Sequence, residues 1–218
     1  GEVEKWRSGE VEKWRSGETG AGKNFMKSKR NKNRGYMQLR VWNDAIDFYA
    51  SGEHAGNRAQ DAFELLVDSP IFAELETFLK WKPNSTDPSS RLVKALQIFQ
   101  DLLRMHQNDQ DLSALADVDL HRLRLGFNHA VGAGKIDRYT SALERFTEQW
   151  PKHEITARAI HHWAAAINQT GDHLTAAGLC RQAIRRFPES AGAKMCQNLV
   201  QQIEAGHDRN HLLEPISC

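Results

Sequence analysis

The 34 residues from Ala157 to Ser190 constrain this chain more than any other segment. They read as two amphipathic helices on either side of Thr170-Gly171-Asp172, with Pro188 closing the pair. Glycine tolerates the backbone of a tight turn, and proline cannot continue a helix. Ala164, Ala176 and Ala183 are small residues placed where the two helices would approach. Ile160, Trp163, Ile167, Ile184 and Phe187 fill the intervening positions at helical spacing. Two helices joined by so short a connection pack antiparallel.

In length, and at its small, bulky, glycine and proline positions, the unit resembles a tetratricopeptide repeat. A shift of 37 residues finds a degraded copy: Gly134 matches Gly171, Leu143 matches Cys180, Trp150 matches Phe187 and Pro151 matches Pro188. Leu123, Phe127 and Ala130 stand where Ile160, Ala164 and Ile167 stand. The last helix, Ser190–Ala205, has no partner and reads as a cap, stopped at Gly206. The fold class expected is all-α, built of antiparallel helical hairpins. The C-terminal half would be a tetratricopeptide-like α-solenoid behind a disordered basic N-terminus. A plain helical bundle with coincidental spacing is the alternative.

The remaining helices follow from apolar spacing and punctuation. Tyr36, Leu39, Trp42, Ile46 and Tyr49 share a face before Ser51-Gly52. Arg58–Val67 reads equally as helix or extended linker. Pro70 suits a helix start, followed by the stripe Phe72, Leu75, Phe78 and Leu79. Lys82–Pro88 is a loop, and Ser89 or Ser90 caps a helix with Leu92, Leu96, Phe99, Leu103 and Met105 buried, ending around Asn108-Asp109. Further helices are expected over Leu112–Val131, Ile136–Trp150, Glu154–Gln169 and Leu174–Phe187. No segment alternates as a strand would. The implied divisions are 1–35, a repeat and basic arm; 36–110, a helical subdomain; 111–206, the repeats; and 207–218, a tail.

The N-terminus repeats itself: GEVEKWRS fills Gly1–Ser8 and recurs over Gly9–Ser16. Eight polar residues cannot bury a core, since solenoid units run to about 20–50 residues, so this part is expected to be disordered. Net charge is +1 for the whole chain, yet Lys23–Arg40 holds seven cationic residues and no acid, which leaves about −6 for the rest. Such an arm could touch nucleic acid, with Trp6 and Trp14 available for stacking, or be a solvated tail. No apolar stretch approaches the ~20 residues that span a bilayer, and Gly1–Ser16 lacks the apolar core of a secretory leader. Cys180, Cys196 and Cys218 are odd in number and widely spaced, which disfavours a disulfide framework; Cys180 and Cys196 fall on apolar helix faces.

Candidate binding residues come from the repeat geometry. If the first helix of each hairpin lines a groove, its outer side carries His121, Arg124 and Asn128 in one unit and Arg158, His161 and Asn168 in the next. Polar and basic groups so placed suit an acidic peptide or a carboxylate; a solvated helix face is the alternative.

Other chemical signals are weaker. Gly17–Asn24 nearly spells a phosphate-binding loop, but Asn24 replaces the magnesium-holding hydroxyl and no apolar strand precedes it. His161 and His162 are neighbours and are expected on different helix faces, and no HExxH or Cys/His spacing occurs. No nucleophile motif appears. Neither catalysis, a cofactor nor a metal is expected.

Two family resemblances cover different stretches. Asn43–Tyr49, Lys94–His106, Ala176–Pro188, Ser190–Cys196 and Gln201–Glu204 together resemble the helical N-terminal region of bacterial (Bacteroidetes-type) alpha-2-macroglobulin-like proteins, over about residues 42–204. That resemblance implies a cell-envelope or extracytoplasmic protein related to protease traps. In such proteins β-sandwich domains follow, sometimes with a Cys-Glu-Gln thioester. Neither follows Glu204 here, so a fragment is expected and trapping activity does not carry over. Arg34–Ile46 is similar to the opening of four-helix-bundle proteins encoded by ribosomal-RNA intervening sequences. The expected function is a non-catalytic protein- or peptide-interaction module. The alternatives are a basic bundle binding ribosomal RNA and, more remotely, nucleotide binding through Gly17–Asn24.

Overall fold

The computed structural model describes residues 63–87 and 90–211, the last five by backbone alone. The chain divides into two compact units, Gly1–Ala59 and Gln60–Cys218, and every described residue belongs to the second. The octamer repeat, the basic arm, the segment Tyr36–Tyr49 and the stretch after His211 lie outside the described residues.

The described residues are all-helical: a 3-10 turn at Pro70–Phe72, then α1 (Leu75–Lys80), α2 (Arg91–His106), α3 (Ser113–His129), α4 (Lys135–Gln149), α5 (Ile155–Gln169), α6 (His173–Arg186) and α7 (Ala191–His211). Each start has a local cause. The Ser90 hydroxyl accepts a hydrogen bond from the Val93 amide at 3.2 Å, and the Asp172 carboxylate accepts one from Thr175 at 3.0 Å, so α2 and α6 are capped by side chains. Gly134 and Gly171 hold φ of +71° and +90° in the turns before α4 and α6, backbone that favours glycine. Arg104 and His106 end α2, and Arg185 and Arg186 end α6, each facing the negative end of its helix dipole.

The predicted helix at Pro70 is broken. The 3-10 turn ends at Ala73, whose ψ of 172° is extended, and α1 begins two residues later. Carbonyls that a continuous helix would use internally are claimed from elsewhere. Arg122 donates to Ile71 O at 2.6 Å and Ala73 O at 3.0 Å, and Arg145 donates to Phe72 O at 2.7 Å. Of the ambiguous Arg58–Val67 segment, the described part, from Phe63, is not helical, and it turns at Val67. Leu66 bridges Val131 in parallel, with Val67 N to Val131 O at 3.0 Å and Val131 N to Leu65 O at 2.8 Å. That bridge also ends α3 at His129, short of the expected Val131. Met105, expected in the core of α2, is 39% exposed in the last turn. Gly206 does not stop α7, which continues to His211.

Each helix from α2 to α7 packs on the next; in addition α3 reaches α5, and α5 reaches α7. The seam of α5, α6 and α7 is made of small residues: Ala157, Ala164, Ala176, Cys180, Ala183 and Cys196 are all fully buried. Small side chains let helix backbones approach, and Gly192 shows how far. A Cβ placed there would meet Arg158 N at 2.3 Å and Ala157 C at 2.4 Å. The Cys196 Sγ lies 4.0 Å from Ala157 O inside this seam, and the neighbouring Cys180 thiol and then burial push the Cys196 thiol up.

Candidate functional site

The α3–α5 seam brings two polar stripes together. Asp117, His121, Arg124 and Asn128 follow one another along α3 at intervals of three or four residues, and Arg158, His161 and His162 lie on α5. Asp117 and Arg158 form an ion pair across the seam, each side chain about three-quarters buried. Arg158 is thereby neutralised and tied to α3.

Arg124 is different. It is exposed and has no carboxylate partner among the described residues. Its positive charge acts instead on His161, His162 and the Tyr139 hydroxyl. Burial pushes the His162 imidazole down to about 3, and Arg124, His161, Arg158 and His121 depress it further within that value. Burial and then Arg124 also lower His161. Both rings are therefore neutral at pH 7. The two imidazoles, expected on different faces, meet edge to face with centroids 5.4 Å apart. Nδ1 of His161 is enclosed and has no hydrogen-bond partner among the described residues.

Of the six predicted groove residues, His121, Arg124, Arg158 and His161 gather here. Asn168 does not: its side-chain oxygen contacts His173 Nδ1 at 2.6 Å and secures the turn into α6. Asn128 is exposed one turn beyond Arg124. His162 was missed by sequence reasoning, which assigned neighbouring histidines to separate faces. The signal that could have found it is the i, i+4 relation to Arg158, which puts both on the α3-facing side.

A cleft of about 830 Å³ lies elsewhere, where the 3-10 turn and α1 meet α3 and α4. Phe72, Leu75 and Phe146 line it, with Glu74, Glu76 and Glu148 among its acidic groups. Its two arginines are already engaged: Arg122 by Asp119 at 2.8 Å and by backbone carbonyls, Arg145 by Phe72 O. It offers no free cation for an anionic ligand. Among the described residues no group of three or more His, Cys, Asp or Glu could hold a metal ion, and no helix is long and apolar enough to cross a membrane. The phosphate-loop-like Gly17–Asn24 and the basic run Lys23–Arg40 lie outside the described residues.

Comparison with protein-family models, with curated proteins and with solved structures returned no match.

Proposed function

We propose that this chain is a non-catalytic helical-repeat module that binds a protein or peptide along the face shared by α3 and α5. The packing order supports the repeat reading. The first helices of the two hairpins, α3 and α5, lie against each other, and the capping helix α7 lies against α5 in turn, as in an α-solenoid. One observation carries the binding reading: Arg124 is an exposed guanidinium without a carboxylate partner among the described residues, and with Arg158, His121 and His161 it acts on His162. A merely solvated helix face would more commonly intersperse charges of both signs. That the module belongs to a larger alpha-2-macroglobulin-like protein is a further part of this reading, and it rests on the residue resemblance over 42–204 alone.

The test is amide mapping on the ¹⁵N-labelled chain with short peptides of glutamate, glutamine or lysine. The proposal expects at least one to perturb residues 117–128 and 158–165 together. Perturbation confined to α4 and α6, or none with any peptide at millimolar concentration, would sink it.

A further inference from the structure

Four carboxylates and two guanidiniums line the cleft of about 830 Å³ where the 3-10 turn and α1 meet α3 and α4. Both guanidiniums are committed within the fold: Arg122 to Asp119, Ile71 O and Ala73 O, and Arg145 to Phe72 O. Among the acids, Glu76 reaches only Lys80, at 3.5 Å and with both side chains largely exposed, a contact that contributes little. Glu74, at the start of α1, and Glu148, near the end of α4, are exposed, and neither side chain has a hydrogen bond or ion pair among the described residues.

Asp119 is the buried acid of the four. Its side chain is 9% exposed and lines the same cleft. Oδ1 accepts from Arg122 Nε at 2.8 Å. Oδ2 has no hydrogen bond among the described residues, and it is not an enclosed atom, so it opens on the cleft. A buried carboxylate oxygen without a donor is uncommon, and here a donor from outside can reach it.

We infer that this cleft binds a lysine side chain presented by a partner protein segment, with the ammonium on Asp119 Oδ2 and the aliphatic stem against Phe72, Leu75 and Phe146. The lining is net negative, even with Lys80 set against Glu76, which favours a cation over an anion. A single free oxygen suits a single N–H donor. An arginine fork pairs with both oxygens of a carboxylate, and Arg122 already holds Oδ1. Apolar side chains share the walls with the acids, and a lysine lays its methylenes on such a surface while its charge stays at the polar end. The volume far exceeds one side chain, so flanking residues fit, and the exposed amides of Gln107, Asn108 and Gln149 can meet their backbone. The site goes beyond the α3–α5 reading and does not rest on it. Leu115, Asp119 and Leu123 face the cleft from α3, whereas His121, Arg124 and Asn128 lie about half a turn around that helix.

Titration of hexalysine into the ¹⁵N-labelled full chain at low ionic strength tests the site. Nε-acetylated hexalysine, hexa-arginine and cadaverine, a free diamine, are the comparisons. The expected result is perturbation of amides over 72–76, 115–123 and 142–149, with the acetylated peptide at least about tenfold weaker. Glu74→Gln combined with Glu148→Gln removes two exposed charges and no packing, and it should weaken hexalysine about three- to tenfold. Asp119→Asn should weaken it at least about tenfold, with far-ultraviolet circular dichroism reporting that it still folds. Unchanged affinity in the double variant overturns the site, whether or not Asp119→Asn folds. Acetylated hexalysine that binds as well as hexalysine overturns the ammonium, and hexa-arginine that binds these amides more tightly overturns the choice of lysine. Cadaverine that matches hexalysine at the same amides overturns the protein segment as the source. If hexalysine perturbs only residues 117–128 and 158–165, the α3–α5 surface stands and this site falls. If it perturbs only the cleft and no peptide reaches the α3–α5 face, this site stands and that surface falls. If hexalysine moves no amide, the cleft site falls.

Discussion

Gly192 puts the packing of α7 on α5 to a quantitative test. Replacing a helical glycine with alanine ordinarily stabilises a helix, by about 1 kcal/mol in the interior and by less in the first turn, where Gly192 sits, because glycine loses more backbone freedom on folding. At Gly192 the new methyl would stand 2.3 Å from Arg158 N, 2.4 Å from Ala157 C and 2.8 Å from the Ala157 Cβ. These are backbone atoms, or a methyl fixed to one, and no rotamer change moves them. Ordinary contact begins near 3.4 Å, so the two helices must part by roughly 1 Å; overpacking of this kind costs about 1–3 kcal/mol or more. Separation also loosens the contacts of Ala193 and Cys196, both fully buried on the same helix. Net of the propensity gain, Gly192→Ala should destabilise by about 2 kcal/mol. Gly178, in the middle of α6, is the control: a Cβ there meets nothing within 4 Å, so Gly178→Ala should stabilise by about 0.5–1 kcal/mol. Urea denaturation followed at 222 nm measures both. A Gly192→Ala variant as stable as the wild type would refute the close approach of α5 and α7.

Two further predictions concern buried charge. His162 titrates near 3 in the folded chain and near 6.5 when unfolded. The folded state therefore refuses a proton that the unfolded chain accepts. The associated stability is fully present above about pH 6.5 and is lost as pH falls towards 3, amounting to about 2 kcal/mol by pH 5. His162→Gln should flatten the dependence of the urea midpoint on pH over this range, and an unchanged slope would contradict the assignment. Arg122 is 2% exposed and holds Asp119, Ile71 O and Ala73 O at once. Arg122→Met leaves a buried carboxylate and two carbonyls without a donor and should cost about 3–5 kcal/mol. The double change with Asp119→Leu should recover part of that loss in the same denaturation assay.

The hairpin of α5 and α6 was legible because its punctuation is local. Gly171 needs its positive φ, and Pro188 follows the helix it helps to end. Ala164, Ala176 and Ala183 are small where the helices touch, so pattern and packing report the same fact. The break after Phe72 was not legible. It depends on Arg122 and Arg145, some 50 to 73 residues away, reaching three carbonyls, and no local pattern announces a donor so distant. Gly206 looked like a stop, yet a glycine inside a helix costs only about 1 kcal/mol, which a long packed helix such as α7 tolerates. At the site, helical periodicity found His121, Arg124, Arg158 and His161. It placed Asn168 with them because spacing alone does not show that the turn into α6 would claim its side chain. It passed over His162 because two adjacent side chains leave a helix in different directions, although their rings can still converge in a seam.

Binding along the α3–α5 face depends on Arg124. Reversing its charge with Arg124→Glu replaces a cation that has no carboxylate partner among the described residues by a carboxylate, while leaving the Asp117–Arg158 pair in place. Hexaglutamate and hexalysine titrated into wild type and variant read the outcome directly. The wild type should bind hexaglutamate, and the variant should lose it by at least about tenfold and bind hexalysine more tightly than the wild type does. A variant that retains wild-type affinity for hexaglutamate would contradict the α3–α5 face as the surface this module uses.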